Sequence, residues 1–275
     1  MTARLLLTLL FVPLVLQAAA DREAARGVVM IPVAGSVAGA NGTQFQTDLT
    51  VSNRSGTAAV VEVYWLPQNV SGSDAPTVQL TLQAFETRLY QDFVRDTLGK
   101  SGLGAIILRG TRNDGTAGND EVVIDAFARV WTPAPDGPGT FSTGVPASTL
   151  YGPKVDDFEP IAGHIYGLRQ DRDFRSNFGI VNMGNRALTF AVYMNTSDSP
   201  VTVPIVVSVQ PKSMVQRSVP FGIYRGLTIT IIPQQVTPPV LDLGPWTAYG
   251  TSVDNVTGDA WFSKAQAARL HQDPL

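Results

Sequence analysis

The sequence predicts an all-β protein, two tandem immunoglobulin-like β-sandwich domains related by internal duplication. Three observations carry that expectation. First, a register recurs: Phe45-Gln-Thr-Asp-Leu-Thr-Val-Ser-Asn53 returns as Phe174-Arg-Ser-Asn-Phe-Gly-Ile-Val-Asn182, displaced by 129 positions. A similar tetrapeptide precedes each copy, Pro32-Val-Ala-Gly35 and Pro160-Ile-Ala-Gly163, and a similar segment follows, Val61-Glu-Val-Tyr-Trp65 and Phe190-Ala-Val-Tyr-Met194. Second, both copies alternate with period two. Phe45, Thr47, Leu49 and Val51 share one face, as do Phe174, Ser176, Phe178 and Ile180, which is the pattern of a strand buried on one side. Third, turn signals recur at intervals of about 8 to 12 residues, the spacing of sandwiches and barrels.

Residues 1–20 read as an export leader. Arg4 precedes the apolar run Leu5 to Leu16, and Gln17-Ala-Ala-Ala20 supplies the small residues of a cleavage site after Ala20. The run is shorter than the roughly 20 apolar residues that span a bilayer, and it contains Pro13. The first sandwich domain is expected over residues 21–150, with strands at 28–33, 45–52, 58–66, 77–83, 87–92, 105–109 and 122–131, and a short helix at 94–98 before Gly99. After Asn53 and after Asn182, short turns rich in Asn, Ser and Gly lead into the next strand, so each pair reads as a hairpin. A linker rich in Pro and Gly follows, from Pro133-Ala-Pro-Asp-Gly-Pro-Gly139 to Pro153, and ends the first domain. The second domain, 151–265, is expected to carry strands at 159–161, 174–181, 187–194, 203–210, 214–219, 227–232 and 246–253. About seven strands per copy suits an immunoglobulin-like sandwich. Residues 266–275 read as a disordered tail.

Composition narrows the setting. The chain has no cysteine, and charged residues make up only 16% of it, with a net charge of −3. Two domains of more than a hundred residues can bury enough apolar surface without disulfides, so a cysteine-free exported chain points to a bacterium and to a secreted or periplasmic address. Basic residues are scattered, and Arg169, Arg172 and Arg175 alternate with Asp171 and Asp173. That arrangement gives no nucleic-acid footprint. No membrane insertion is expected after leader cleavage.

With the paired Pro-x-Ala-Gly and Phe-x-Thr/Ser-Asp/Asn segments in place, and Asp254-Asn-Val-Thr-Gly-Asp259 near the end, the chain resembles a group of secreted bacterial proteins. Those proteins carry tandem β-sandwich repeats of the form IPVAG…FxTDLxLxN and close on a DNxTGD segment. The resemblance implies fold and export. No activity is established for the group, so it carries over no catalytic or binding residue. Arg54 stands where the group's turn usually has Pro.

Catalytic constellations are not expected. The chain has two histidines, His164 and His271, and Gly35-Ser-Val-Ala-Gly39 lacks the spacing of a nucleophile elbow. Asp156-Asp-Phe-Glu159 lies in a proline-rich stretch that gives two carboxylates no reason to flank a sugar bond. Two acidic loops offer the hard oxygen ligands that calcium takes: Asn113-Asp-Gly-Thr-Ala-Gly-Asn-Asp-Glu121 and the stronger candidate, Asp254, Asn255 and Asp259. Neither has EF-hand spacing; Asn-Asp-Gly in the first also reads as a hairpin turn, and in the second the carboxylates flank a Thr-Gly turn. Trp246, Tyr249 and Trp261 form a candidate aromatic platform for a glycan, while Trp65 and Trp131 are expected to fill cores. The expected function is that of an exported, non-catalytic structural or adhesive protein whose partner is a protein or glycan of the cell envelope. A carbohydrate-binding or enzyme-accessory module is the alternative, and a two-sandwich periplasmic chaperone that adds a strand to its client is a second.

Overall fold

The computed structural model describes residues 27–39, 42–113, 122–134, 137–148, 161–196, 203–234 and 245–269. The first half contains β1 (Val28–Ala38), β2 (Gln44–Asn53), β3 (Ala59–Pro67), β4 (Val78–Leu82), β5 (Thr87–Tyr90), β6 (Gly102–Arg112), β7 (Ile124–Pro133) and β8 (Thr140–Pro146). The second contains β9 (Ile161–Gln170), β10 (Phe174–Asn182), β11 (Leu188–Asn195), β12 (Ile205–Val209), β13 (Ser213–Ser218), β14 (Tyr224–Pro233), β15 (Trp246–Asp254), β16 (Ala260–Lys264) and β17 (Gln266–Arg269). The all-β sandwich expected from the sequence is the architecture observed.

Each half is two antiparallel layers. In the first, β4-β3-β6-β1 faces β5-β2-β7-β8; in the second, β12-β11-β14-β9 faces β13-β10-β15-β16. The pairings correspond strand for strand, and β17 is added to the free edge of β9. β1 belongs to both layers of its half: Val28 to Ser36 pair with β6, and Val37 and Ala38 pair with β2. The change of partner falls between Ser36 and Val37, and earlier in the strand the β6 pairing has a register shift between Ile31 and Ala34, where Pro32 has no N–H to offer a ladder. In the immunoglobulin order, strands one, two, four and five share one sheet and three, six and seven the other. Here strands two, three, five and six keep those places, the first and seventh have exchanged layers, and the fourth pairs with the third.

Alternation marks which layers face solvent. β7 buries Ile124, Ala126 and Ala128 and exposes Asp125 and Phe127, and β4 buries Leu80 and Leu82 between exposed Gln79 and Thr81. In contrast, Gly104 to Leu108 of β6 and Trp246 to Gly250 of β15 are buried without a break. A strand loses its alternation when both faces are covered.

One side chain holds the same position in each half. Asn53, at the end of β2, is 1% exposed; its Nδ2 donates to the carbonyls of Thr57 (2.7 Å) and Gln83 (2.9 Å), and its Oδ1 accepts the N–H of Ser55 (3.0 Å). Asn182, at the end of β10, is fully buried. Its Nδ2 donates to Arg186 (2.7 Å) and is shared between Val209 (3.2 Å) and Gln210 (3.0 Å), while Oδ1 accepts the N–H of Gly184 (2.9 Å). Each amide therefore closes the turn that follows its strand and ties it to the next interlayer turn along, β4–β5 or β12–β13; the hairpins expected after Asn53 and Asn182 are corrected, because β2 and β3, like β10 and β11, lie in different layers and do not pair. Few other side chains could do both, because the task needs a donor and an acceptor on one short stem.

Several expectations are corrected. The linker predicted at the end of the first half contains β8, which pairs with β7 from Phe127↔Pro146 to Pro133↔Thr140. The tail predicted as disordered contains β17, paired with β9 over Gln266↔His164 to Arg269↔Ile161. Both strands are short and polar, and their partners supply the hydrogen bonds that local propensity does not reveal. The predicted helix at 94–98 is a single π-type turn, Phe93–Thr97, whose buried Phe93 and Val94 close one end of the first sandwich. Asp92 before it is buried at positive φ (34°), with Arg95 Nη2 3.0 Å from its Oδ2; burial raises its carboxyl above the usual range. The two Pro-x-Ala-Gly segments do not sit at matching registers, since Gly35 faces Leu103 near the start of β6 whereas Gly163 faces Ile231 near the end of β14.

Asn182→Ala removes the buried amide and leaves three carbonyls and one N–H without it. The expected loss is about 2–4 kcal/mol, read from urea unfolding, with Asn53→Ala losing somewhat less because its Nδ2 serves two carbonyls.

Candidate interaction surfaces

Among the described residues, the unusual side chains gather on sheet faces. In β3, β6 and β1 the register places Tyr64, Ile107 and Met30 in one row and Leu66 and Ala105 in the next, on the face turned away from the first sandwich's own core. Leu66, Ala105 and Met30 are nevertheless 1% exposed or less. They are covered by the second half: Val181, Met183, Met214 and Tyr249 join the first half's apolar cluster, with Phe262 against it. The outer face of β13-β10-β15-β16 thus lies on the outer face of β3-β6-β1, stacking four layers.

Polar contacts fix the seam. Gln68 and Met214 form an isolated parallel bridge, and Asn69 N–H donates to the Met214 carbonyl (2.9 Å). Ser213 Oγ donates to the Pro67 carbonyl (2.8 Å), Ser71 Oγ and Gly72 N–H donate to that of Pro211 (both 3.2 Å), and Lys212 Nζ lies 3.2 Å from Asp74 Oδ1. Beside the seam a cleft of about 250 Å³ is lined by Val28, Tyr64, Leu66, Ile107 and Arg109 from the first half and Lys212 from the second. Tyr64 Oη donates to Glu62 Oε2 (2.9 Å) there, and partial burial with that bond raises its pKa.

Tyr249 is the centre of the seam. Its ring is fully buried, stacks on Phe262 at 5.6 Å and lies across Gly179, where a Cβ would come within 2.1 Å of the ring. Its hydroxyl donates to Gln216 Oε1 (2.7 Å), and burial holds the phenol far above its ordinary value of 10.0. Trp246 is also buried, packed against Phe190 at 5.1 Å in the second half's core. The predicted platform of Trp246, Tyr249 and Trp261 is therefore corrected: two of its three rings are interior, because alternation within β15 offers them two faces and both faces are covered. Trp261 is half-buried, 5.8 Å from Phe174, and its Nε1 donates to the Gly167 carbonyl (3.0 Å).

Asp254, Asn255 and Asp259 do share one loop. Asp254 Oδ1 accepts the N–H groups of Val256 (2.7 Å) and Thr257 (3.1 Å), and these bonds lower its pKa. Asn255 Oδ1 accepts from Arg175 Nη1 (2.5 Å), and Asp259 contributes its backbone, accepting the Asp254 N–H through its carbonyl (2.8 Å). Asp254 Oδ1 and Asn255 Oδ1 are thus engaged in holding the β15–β16 turn and tying it to Arg175. Among the described residues no group of three or more His, Asp or Glu side chains is placed to hold a metal ion. His164 Nδ1 is 3.0 Å from Thr230 Oγ1 on the outer face of β9 and β14, and burial lowers its pKa. His271, the acidic loop over 114–121 and Asp156, Asp157 and Glu159 lie outside the described residues.

One surface escaped the sequence reading. The outer face of β5-β2-β7-β8 carries Leu89 (59% exposed), Phe127 (47%) and half-buried Trp131, which had been expected to fill the core. Phe127 lies over Gly144, where a Cβ would sit 2.6 Å from the ring tip. Between the two rings Arg129 reaches toward Asp48 (Nη1–Oδ2 3.7 Å), bonds Thr140 Oγ1 and lies 5.5 Å from the Trp131 ring. The signal was present: Phe127, Arg129 and Trp131 share the outward parity of Asp125, opposite the small inward Ala126 and Ala128.

Tyr249→Ala is expected to lower stability by about 3–5 kcal/mol, the range for emptying a buried aromatic site. Tyr249→Phe, which leaves Gln216 unpaired, costs about 1 kcal/mol. The phenol also sets an alkaline limit. Tyr249 ionises near 10.0 when unfolded but resists ionisation when folded, so its contribution is complete below that pH and is lost as pH rises above it. Urea midpoints should fall through the alkaline range in the parent and fall less in Tyr249→Phe. No protein-family model and no curated protein matches this chain.

Proposed function

We propose that the chain is an exported, non-catalytic structural or adhesive protein of the bacterial cell envelope or exterior, working through its sheet faces. The observation that carries this reading is the seam itself. A whole sheet face of the second half is spent on docking, while the corresponding face of the first half stays open with Leu89, Phe127 and Trp131 on it. Exposed apolar and aromatic groups gathered on one open face mark an interaction surface. The leader over residues 1–20 and the absence of cysteine support the address.

A second reading, a carbohydrate-binding module, is favoured by the alternation of Phe127, Arg129 and Trp131 along β7, with Asp48 and Gln46 beside them on β2. Flat rings flanked by charged and amide groups suit a sugar's apolar face and its hydroxyls.

Expression of the full chain in a bacterium, followed by fractionation, tests the first reading. The mature protein is expected to start at Asp21, to leave the cytoplasm and to be retained on washed envelopes, with retention falling several-fold in Phe127→Glu; cytoplasmic protein that envelopes do not retain would overturn it. Titration with purified envelope polysaccharides, followed by tryptophan fluorescence, tests the second. A saturable change abolished by Trp131→Ala supports it, and an unchanged spectrum across the panel rejects it.

A further inference from the structure

The second half docks on the first through a heterologous contact, because the two faces that meet are different layers of the same kind of sandwich. The β13-β10-β15-β16 layer sits on β4-β3-β6-β1. Strand for strand, the counterpart of the first of these layers is β5-β2-β7-β8, and the counterpart of the second is β12-β11-β14-β9. Among the described residues neither counterpart is covered by a sheet of the other half, since each half supplies one face to the seam.

The match extends to single residues. Counting from the caged asparagines, Asn53 faces Ile124 and Asn182 faces Trp246, so Phe127 holds the register position of Tyr249. One strand further, Leu89 faces Thr50 as Gln216 faces Gly179. The outward row of Leu89, Thr50 and Phe127 is thus the first half's version of the row that Gln216, Gly179 and Tyr249 press into the seam. Tyr249 is fully covered; Phe127 and Leu89 are 47% and 59% exposed.

The receiving surface has a counterpart as well. Tyr64 faces Ile107 in the seam, and Tyr193 faces Thr230 on the outer side of β11 and β14. Val206 of β12 projects on that side with 60% exposure, opposite Ala191. β11 and β12, Leu188–Asn195 and Ile205–Val209, contain no charged residue. Charge depletion is what distinguishes the centre of an interface from ordinary surface.

We propose that the open β5-β2-β7-β8 face, centred on Phe127, docks the outer β12-β11-β14 face of a second copy of this chain, repeating between molecules the seam that joins the two halves. A heterologous contact of this kind leaves one free face at each end, so copies add head to tail and form chains unless the rotation closes a ring. The inference rests on the structural reading above and names its partner.

Sedimentation velocity on the mature protein, from micromolar to millimolar concentration, tests it. The average mass is expected to rise with concentration, and Phe127→Glu and Val206→Glu, each with an unchanged melting midpoint, are expected to remain monomeric alone. Mixed, they should form a one-to-one dimer and nothing larger, because each variant keeps the face the other has lost. A parent that stays monomeric throughout, association that survives either substitution, or variants that fail to complement would overturn the proposal. Retention on envelopes is scored separately: a monomeric parent that is still retained removes this inference and leaves the structural or adhesive reading in place, whereas complementing variants with no retention remove the envelope reading alone.

Discussion

The ring of Tyr249, laid over Gly179 and packed among residues of the other half, is the contact on which the arrangement of the molecule turns. A phenol can be fully buried there because Gln216 Oε1 accepts the hydrogen bond from its hydroxyl and Phe262 stacks on the ring. Around it Met214 and Val181 meet the outer face of β3, β6 and β1, and a face that would be wet in a lone sandwich becomes interior. This is why Ala105 to Leu108 and Trp246 to Tyr249 are continuously buried while β4 and β7 alternate.

Within each half, order depends on a buried asparagine. Asn53 and Asn182 satisfy backbone groups of two neighbouring turns with one side chain, which fixes the registers of the strands on either side. Because a slip of one residue would turn every side chain of a strand to the opposite face, such a pin also decides which residues are available on the outer surface. Phe127 and Tyr249 stand at equivalent positions for that reason, and their different exposure comes from what covers them.

The fold was legible because its signals are local. Alternation in 45–52 and 174–181, and the Asn-containing turns after them, are written in consecutive residues, and they placed most strands within a few positions of where they lie. β8, β16 and β17 were not legible, since their strand character comes from β7, β15 and β9 and not from apolar periodicity. The candidate sites fared worse for a related reason. Periodicity says that Trp246 and Tyr249 lie on opposite faces of a strand but not which faces are wet, and a second layer over β15 buries both. Trp131 failed in the other direction: a large ring in a strand was assigned inward, although its parity with Asp125 and Arg129 pointed out. In the Asp254 loop, local hydrogen bonds from Val256, Thr257 and Arg175 engage Asp254 Oδ1 and Asn255 Oδ1, contacts that the spacing of the oxygens along the chain does not record.

By itself, the sequence determined the all-β class, the period of the strands and the positions of the two turn asparagines, all of which follow from short-range pattern and composition. The tertiary structure alone decided that the two halves stack face to face, that β1 crosses between layers, and that Phe127 is open where Tyr249 is sealed. The stacking and the sealing of Tyr249 depend on contacts between residues more than a hundred positions apart, such as Pro67 with Ser213, and the crossing on which strands β1 meets at its two ends; no periodicity within a strand records which distant partner will cover it.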